Sequence, residues 1–293
     1  MPDAAGLIEW PDSPAPLAGG EPLIEVHAHF LHGGCGRSDW REVNAARLRA
    51  GERIGISCHV ASILGSWGFA SPVYLPSPAD VAEGNDAMLA LQAGHDQTIR
   101  SYVVVNPNHT EHALAELQRC AAAGAVGLKL LASRRADDPL LDPLVAAAAE
   151  HQMPVLHHAW QHRTRHWPQQ DVSDAREIAR LAERHPGASI ILAHIGGGGD
   201  YRHTFHVVRD VPNVLLDISG SGTDRGMLDG ALEAVGPRRL VWGSDVTMET
   251  GLAKLRALEV IGLSRDDLAL IRWRNALRIF PRGTFGGLAE LPL

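Results

Sequence analysis

The sequence predicts a single (β/α)8 barrel of the α/β class, with an irregular N-terminal lead-in and a closing C-terminal helix. Three observations carry this. The chain has 293 residues, 45% hydrophobic and 21% charged, enough for one large α/β unit. It contains eight short apolar runs of strand character, and helical patterns lie between them. Residues 1–22 are rich in Pro, Gly and Ala without apolar period and read as the lead-in, leaving 23–293 for the barrel.

The strand-like runs are LIEVHAHF (23–30), RIGISCHV (53–60), IRSYVVVN (99–106), AVGLKLL (125–131), PVLHHAW (154–160), SIILAHIG (189–196), NVLLDIS (213–219) and RLVWGSDV (239–246). The clearest helices span 110–124, 142–152 and 173–187. Thr110 and Ser173 read as N-caps, Glu177 as a first-turn carboxylate, and Gly124 and Pro186-Gly187 as stops. SRDDLALIRWRNALRIF (264–280) reads as one last amphipathic helix. Strands separated by helices pair in parallel through crossovers, and nearly continuous apolar runs fit burial on both faces. A doubly wound sheet is the rival, but it would place a glycine-rich phosphate loop after strand one, where the chain reads HAHFLHGG.

The net charge of -7 argues against a nucleic-acid surface, which needs clustered positive charge. No apolar run approaches the roughly 18 residues of a membrane span, and the opening segment lacks the basic start and apolar stretch of a signal peptide. A cytoplasmic location with no membrane partner is therefore expected. Cys35, Cys58 and Cys120 are far apart and odd in number, so a metal would have to use nitrogen and oxygen ligands. The chain has 16 histidines, and only Lys129 and Lys254 among its 27 basic residues are lysines.

Active residues of such barrels sit at the C-terminal ends of strands. Strand one ends His27-Ala28-His29, and a period of two puts both imidazoles on one side. Alone, that pattern also describes two polar residues at a strand end. Here strand five ends with His157-His158, strand six with His194 and strand eight with Asp245. Histidine and carboxylate ligands around one ion, with a position left open, make a catalytic rather than structural site. Lys129, inside an apolar run, has two readings: a snorkelling or salt-bridged lysine, or one of lowered pKa that takes up carbon dioxide as a carbamate and bridges two metals.

This order of His-x-His, Lys, His, His and Asp resembles the amidohydrolase superfamily over nearly the whole chain. PVLHHA, ILAHIGGG, VWGSDV and WRNALRIF resemble its amidohydrolase-related branch, which includes aminocarboxymuconate-semialdehyde decarboxylase and related hydrolases and decarboxylases. The resemblance implies that His27, His29, His158 and Asp245 bind a first divalent metal and that Lys129 and His194 complete a second site. It implies further that Asp245 or His194 handles protons, with one or two ions of Zn, Mn or Fe per chain. His158 is preferred to His157 because the family ligand lies four residues after the proline, here Pro154; alternation then turns His157 to the other face. Glu25 stands where the family often has aspartate.

Around this set, His59 reads either as a substrate contact or as a polar strand end. Arg134, Arg163 and Trp160 are further substrate-contact candidates, because guanidinium forks match carboxylate or phosphate and the few aromatics fall near the barrel's top. The expectation is a metal-dependent hydrolase or decarboxylase acting on a small or bulky organic acid or acyl derivative, anionic with an apolar body. A non-haem di-iron oxygenase on the same barrel and a non-catalytic ligand-binding barrel are the rivals, and homo-oligomerisation is left open.

Overall fold

The computed structural model describes residues 21–64, 75–161, 170–197, 201–220, 225–245 and 248–290. Eight strands follow in chain order: β1 (Ile24–His29), β2 (Cys58–Ser62), β3 (Ile99–Val104), β4 (Gly127–Leu130), β5 (Val155–His157), β6 (Ile190–Leu192), β7 (Val214–Asp217) and β8 (Leu240–Val241). Each pairs in parallel with the next. The ring closes through backbone bonds from Val26 N to the Trp242 carbonyl (3.0 Å) and from Asp245 N to the His27 carbonyl (2.9 Å). This is the expected (β/α)8 barrel.

The outer layer comprises α1 (Trp40–Ile54), α2 (Pro78–Gly94), α3 (Thr110–Ala122), α4 (Asp142–Glu150), α5 (Ala175–Arg184), α6 (Tyr201–Val208), α7 (Arg225–Val235) and α8 (Met248–Val260). Alternation along the strands divides the core. Leu128, Leu130, Val155, Ile190, Leu192 and Leu216 pack with the helices. Ile24, Val60, Tyr102, Leu156, Ile191 and Val241 cluster instead with Trp273, Ile279 and Phe280 of the closing segment, which plugs the barrel's lower end. Each such aliphatic contributes about 1.5–3 kcal/mol by leaving water. Among the described residues no helix is long and apolar enough to cross a membrane.

The structure departs from the sequence reading at several ends. β2 starts at Cys58 rather than 53, because Arg53 and Ile54 finish α1 and Gly55, at φ 84°, terminates it. His59 is thus the second residue of β2 and lies near its beginning, not at its C-terminal end. Thr110 is the first residue of α3, its hydroxyl donating to the Pro107 carbonyl, and does not cap it. Asp174 rather than Ser173 caps α5, in a reciprocal box with Glu177, while the Ser173 hydroxyl accepts from Ala136 N. The final helix is three pieces: α9 (Arg265–Ala269), a π-helical turn (Leu270–Arg274) and α10 (Asn275–Ile279). Residues 1–20 of the lead-in and the substrate-contact candidate Arg163 lie outside the described residues.

Candidate metal centre

A bulge in β1 aims the first histidines. Glu25 pairs with His59 but Ala28 with Ala61, so Val26 and His27 together stand opposite Val60. The extra residue lets Val26 join the lower plug while His27 and His29 both face the upper interior. Each imidazole is anchored through Nδ1: His27 to Asp217 Oδ2 at 2.6 Å and Ser219 Oγ at 3.2 Å, and His29 to Ser62 Oγ at 2.9 Å. Their Nε2 atoms are left 3.2 Å apart, each 3.3 Å from Asp245 Oδ1.

That triangle is what a divalent cation requires. Ligands at about 2.0–2.1 Å in tetrahedral arrangement lie roughly 3.3–3.4 Å from one another. The opposite face of Asp245 meets a second donor, His194, whose Nδ1 is 3.4 Å from Asp245 Oδ2 and 3.0 Å from Ser219 Oγ. His27, His194 and Asp245 each bring one ligand atom within 4.8 Å of the others. His158 joins through His194, Nδ1 to Nε2 at 3.3 Å. The structure therefore gathers His27, His29, Lys129, His158, His194 and Asp245 at one end of the barrel, with the tightest donor set being His27, His29 and Asp245.

The backbone is held in costly conformations here. His194 (φ 59°), Ile195 (φ 50°) and Asp245 (φ 51°) occupy the left-handed region, which non-glycine residues enter at about 1–3 kcal/mol each. Neighbouring glycines make room. Gly197 adopts φ 54°, ψ -168°, and a Cβ there would lie 2.3 Å from Trp160 Cε3, so the indole rests on bare backbone three residues after His194.

The local field favours ligation. Burial, then the Lys129 charge, lowers His27 to about 3, and burial lowers His29, His158 and His194 as well, so the four imidazoles are neutral at pH 7. Burial alone would raise Asp245, but His194, His27 and the bond from His29 hold it well below the usual carboxylate range. Lys129 is fully enclosed with Nζ 2.8 Å from His27 Nε2, and burial brings it down to about 8 against the opposing pull of Asp245 and Asp217. It is thus no snorkelling lysine.

The remaining candidates fall elsewhere. His59 bonds Glu25 on the outer side of β1, with its ring edge-on to Phe30, so its contacts are structural. Glu25 also accepts from Ser244 N and from the Ser244 hydroxyl, fixing the residue before Asp245. Arg134 donates to Asn108 Oδ1 (2.5 Å) in the turn after β3 and pairs with Asp138 (3.3 Å) of its own loop, so its guanidinium ties two loops together. His157 turns away from the centre, Nδ1 on the His158 carbonyl at 2.7 Å. Sequence reasoning missed Asp217, Ser219 and Ser62, the groups that orient the ligands, although Asp217 closes an apolar run as His194 and Asp245 do. It also left unused the second lysine: Lys254 Nζ donates to the carbonyls of Ile218 and Ser219, tying α8 beneath the same turn.

A family model described as amidohydrolase matches residues 24–282. Similar solved structures include 2,6-dihydroxybenzoate decarboxylase from Rhizobium, at 18% identity and TM-score 0.67 over 89% of this chain and 98% of that one. The 5-carboxyvanillate decarboxylase from Sphingomonas paucimobilis matches at 16% identity and TM-score 0.67 over 88% and 98%. A dihydroxybenzoic acid decarboxylase from a Polaromonas species, with bound manganese and 2-nitroresorcinol, matches at 19% identity and TM-score 0.68 over 88% and 96%. At these identities the likeness shows a shared fold. No curated protein matches the sequence.

Proposed function

The chain belongs to the amidohydrolase family, and from that premise we propose that it is a metal-dependent enzyme that decarboxylates a small aromatic acid, with His27, His29 and Asp245 as the core ligands of one divalent cation. The observation that carries the reading is the triangle of Nε2, Nε2 and Oδ1 with edges of 3.2–3.3 Å, backed on its far side by His194. That several proteins of similar fold are decarboxylases supports the reaction class, and the manganese and aromatic inhibitor bound to one support the cofactor and substrate type.

When bound, the cation supplies Lewis acidity toward an anionic substrate oxygen. The chain supplies the rest. Asp217, Ser219 and Ser62 keep both Nε2 lone pairs turned inward, so what loading has to displace is the Lys129 amine from His27 Nε2. Asp245, held ionised, serves as ligand and acceptor and not as an acid. His194 is neutral and buried, and it takes the phenolic proton of a hydroxybenzoate at one ring nitrogen as that substrate binds, the phenolate regaining a proton from water on release. It returns that proton to the ring carbon from which carbon dioxide departs, so the C–C bond pair ends in a new C–H bond. The second oxygen of Asp245 and the Ser219 hydroxyl orient its Nδ1 edge. Lys129, enclosed beside His27, lends positive charge to the anionic substrate layer.

The substrate is read as a small anion with an apolar body. Buried free cysteines, Cys35, Cys58 and Cys120, and the acidic net charge support a reducing cytoplasm and a small-molecule partner rather than nucleic acid. The test is to load the purified chain with manganese or zinc and assay hydroxybenzoates for carbon dioxide release, in parallel with ester, lactone and amide panels. Release that persists without oxygen, and is lost in Asp245→Asn, is expected. Hydrolysis without carbon dioxide release would replace this reaction with the hydrolytic one, and an absolute need for oxygen would restore the oxygenase reading.

A further inference from the structure

A cavity of about 840 Å³ opens at the end of the barrel opposite the metal centre, against the turns that enter β5 and β6 and the closing segment. Four arginines, Arg238, Arg274, Arg278 and Arg282, line it, and no lining residue carries a carboxylate, in a chain whose net charge is -7. Among the described residues only Arg274 has an acidic partner, Asp266 at 3.1 Å, and that carboxylate is 84% exposed. Arg278 spends its Nη2 on the Arg238 carbonyl (2.6 Å) and Asn275 Oδ1 (3.5 Å). The guanidiniums of Arg238 and Arg282 have no partner among the described residues.

Two backbone features coincide with this cluster. The π-helical turn Leu270–Arg274 contributes Leu270 and Arg274 to the wall, and such turns are rare and concentrated at functional sites. Arg274 Nε is buried there without a hydrogen-bond partner. Among the described residues four non-glycines have positive φ; three belong to the metal centre, and the fourth, Gln152 (φ 57°), lines this cavity. Burial and the adjacent Arg238 charge push the Arg278 guanidinium down, the direction that crowded cations produce. Met153, Leu277 and Phe280 supply apolar surface beside the charges.

We propose that this cavity is a second binding site, for a small organic anion whose carboxylate or phosphate is held by Arg238, Arg274, Arg278 and Arg282 and whose body lies on Met153, Leu277 and Phe280. Guanidinium forks match both oxyanions, and the volume lies within the range of small-molecule sites. The site is independent of the chemistry at the metal centre, which lies at the other end of the strands.

The experiment is calorimetric titration of the full chain with benzoate and, separately, with inorganic phosphate. It is run on the metal-loaded protein and on His27→Ala, in which anion binding to the metal drops out. Saturable binding that persists in His27→Ala and weakens at least about tenfold in Arg238→Gln/Arg282→Gln is expected, one lost charged contact being worth that much. Both arginines are exposed, so the double variant keeps its fold. Its thermal midpoint without anion should equal the parent's, while the anion-induced rise should vanish. Arg274→Gln alone should weaken the same event. Benzoate binding without phosphate binding identifies a carboxylate ligand, and the reverse identifies a phosphate. Absence of saturable binding up to about 10 mM of either anion, or binding unchanged in the double variant, overturns the proposal.

Discussion

Asp217→Asn isolates the group that orients His27, the first of the proposed ligands. In the native chain the Asp217 carboxylate, wholly buried, accepts from His27 Nδ1 at 2.6 Å and from Ser219 N at 2.9 Å. The amide can keep the Ser219 bond through its oxygen, but it then presents NH2 to Nδ1. His27 must shift its proton to Nε2, the atom that faces His29 and Asp245, or lose the contact. Partners of this kind change metal affinity by about 10–100-fold, which is about 1.4–2.7 kcal/mol. That matches the 1.5–3 kcal/mol of a single buried hydrogen bond to a charged group. Competition for manganese or zinc against a fluorescent chelator measures the loss directly, with a urea midpoint near the native value showing that the fold survives. Native metal affinity in Asp217→Asn would refute the claim that this carboxylate sets the His27 tautomer.

Other consequences are equally accessible. Arg119, with help from Asn85, holds Glu116 down to about 2 despite its burial, so its folded-state pKa lies below the unfolded one. The stability it adds is complete above about pH 4.5 and is lost as pH falls toward 2. Because Arg119 is 46% exposed, we expect about 1–2 kcal/mol, seen as a urea-midpoint deficit of Glu116→Gln at pH 7 that closes near pH 2. Gly197→Ala forces a Cβ to 2.3 Å from the Trp160 ring at a backbone angle that glycine alone tolerates, and should cost about 1–3 kcal/mol by thermal denaturation. Glu25→Ala strands His59 and the Ser244 amide, so stability should fall by about 1–3 kcal/mol and metal affinity with it, since Asp245 follows Ser244; Glu25→Gln, which keeps an acceptor for Ser244, should recover most of the affinity.

The barrel was readable in the chain because each strand is a bounded apolar run and each crossover has helical punctuation. That these histidines gather at one end of the barrel was readable because polar residues closing apolar runs stand out. What the sequence concealed lies in backbone geometry. RIGI at 53–56 is apolar enough for a strand, yet its first half completes α1, and that shift puts His59 at the start of β2 beside Glu25. No pattern of residues announces the β1 bulge, which changes which neighbours of His27 face inward. Asp217 was passed over because the search ran on histidine spacing, and its role depends on the depth of its contact with His27. The π-helical turn interrupts a stretch that reads as one amphipathic helix, so periodicity could not find it.

The proposed metal ligands come from the barrel's seam. His27 and His29 lie on the first strand and Asp245 just past the last, and Glu25 and Ser244, joined across that seam, are 219 residues apart. At roughly 5–20 residues per second, a ribosome takes about 10–40 s to make that span. Throughout that interval the nascent chain carries one half of the site without the other. Capture of an ion by the proposed ligands then waits until the last strand has reached the first, so such an ion would latch a finished barrel instead of nucleating it.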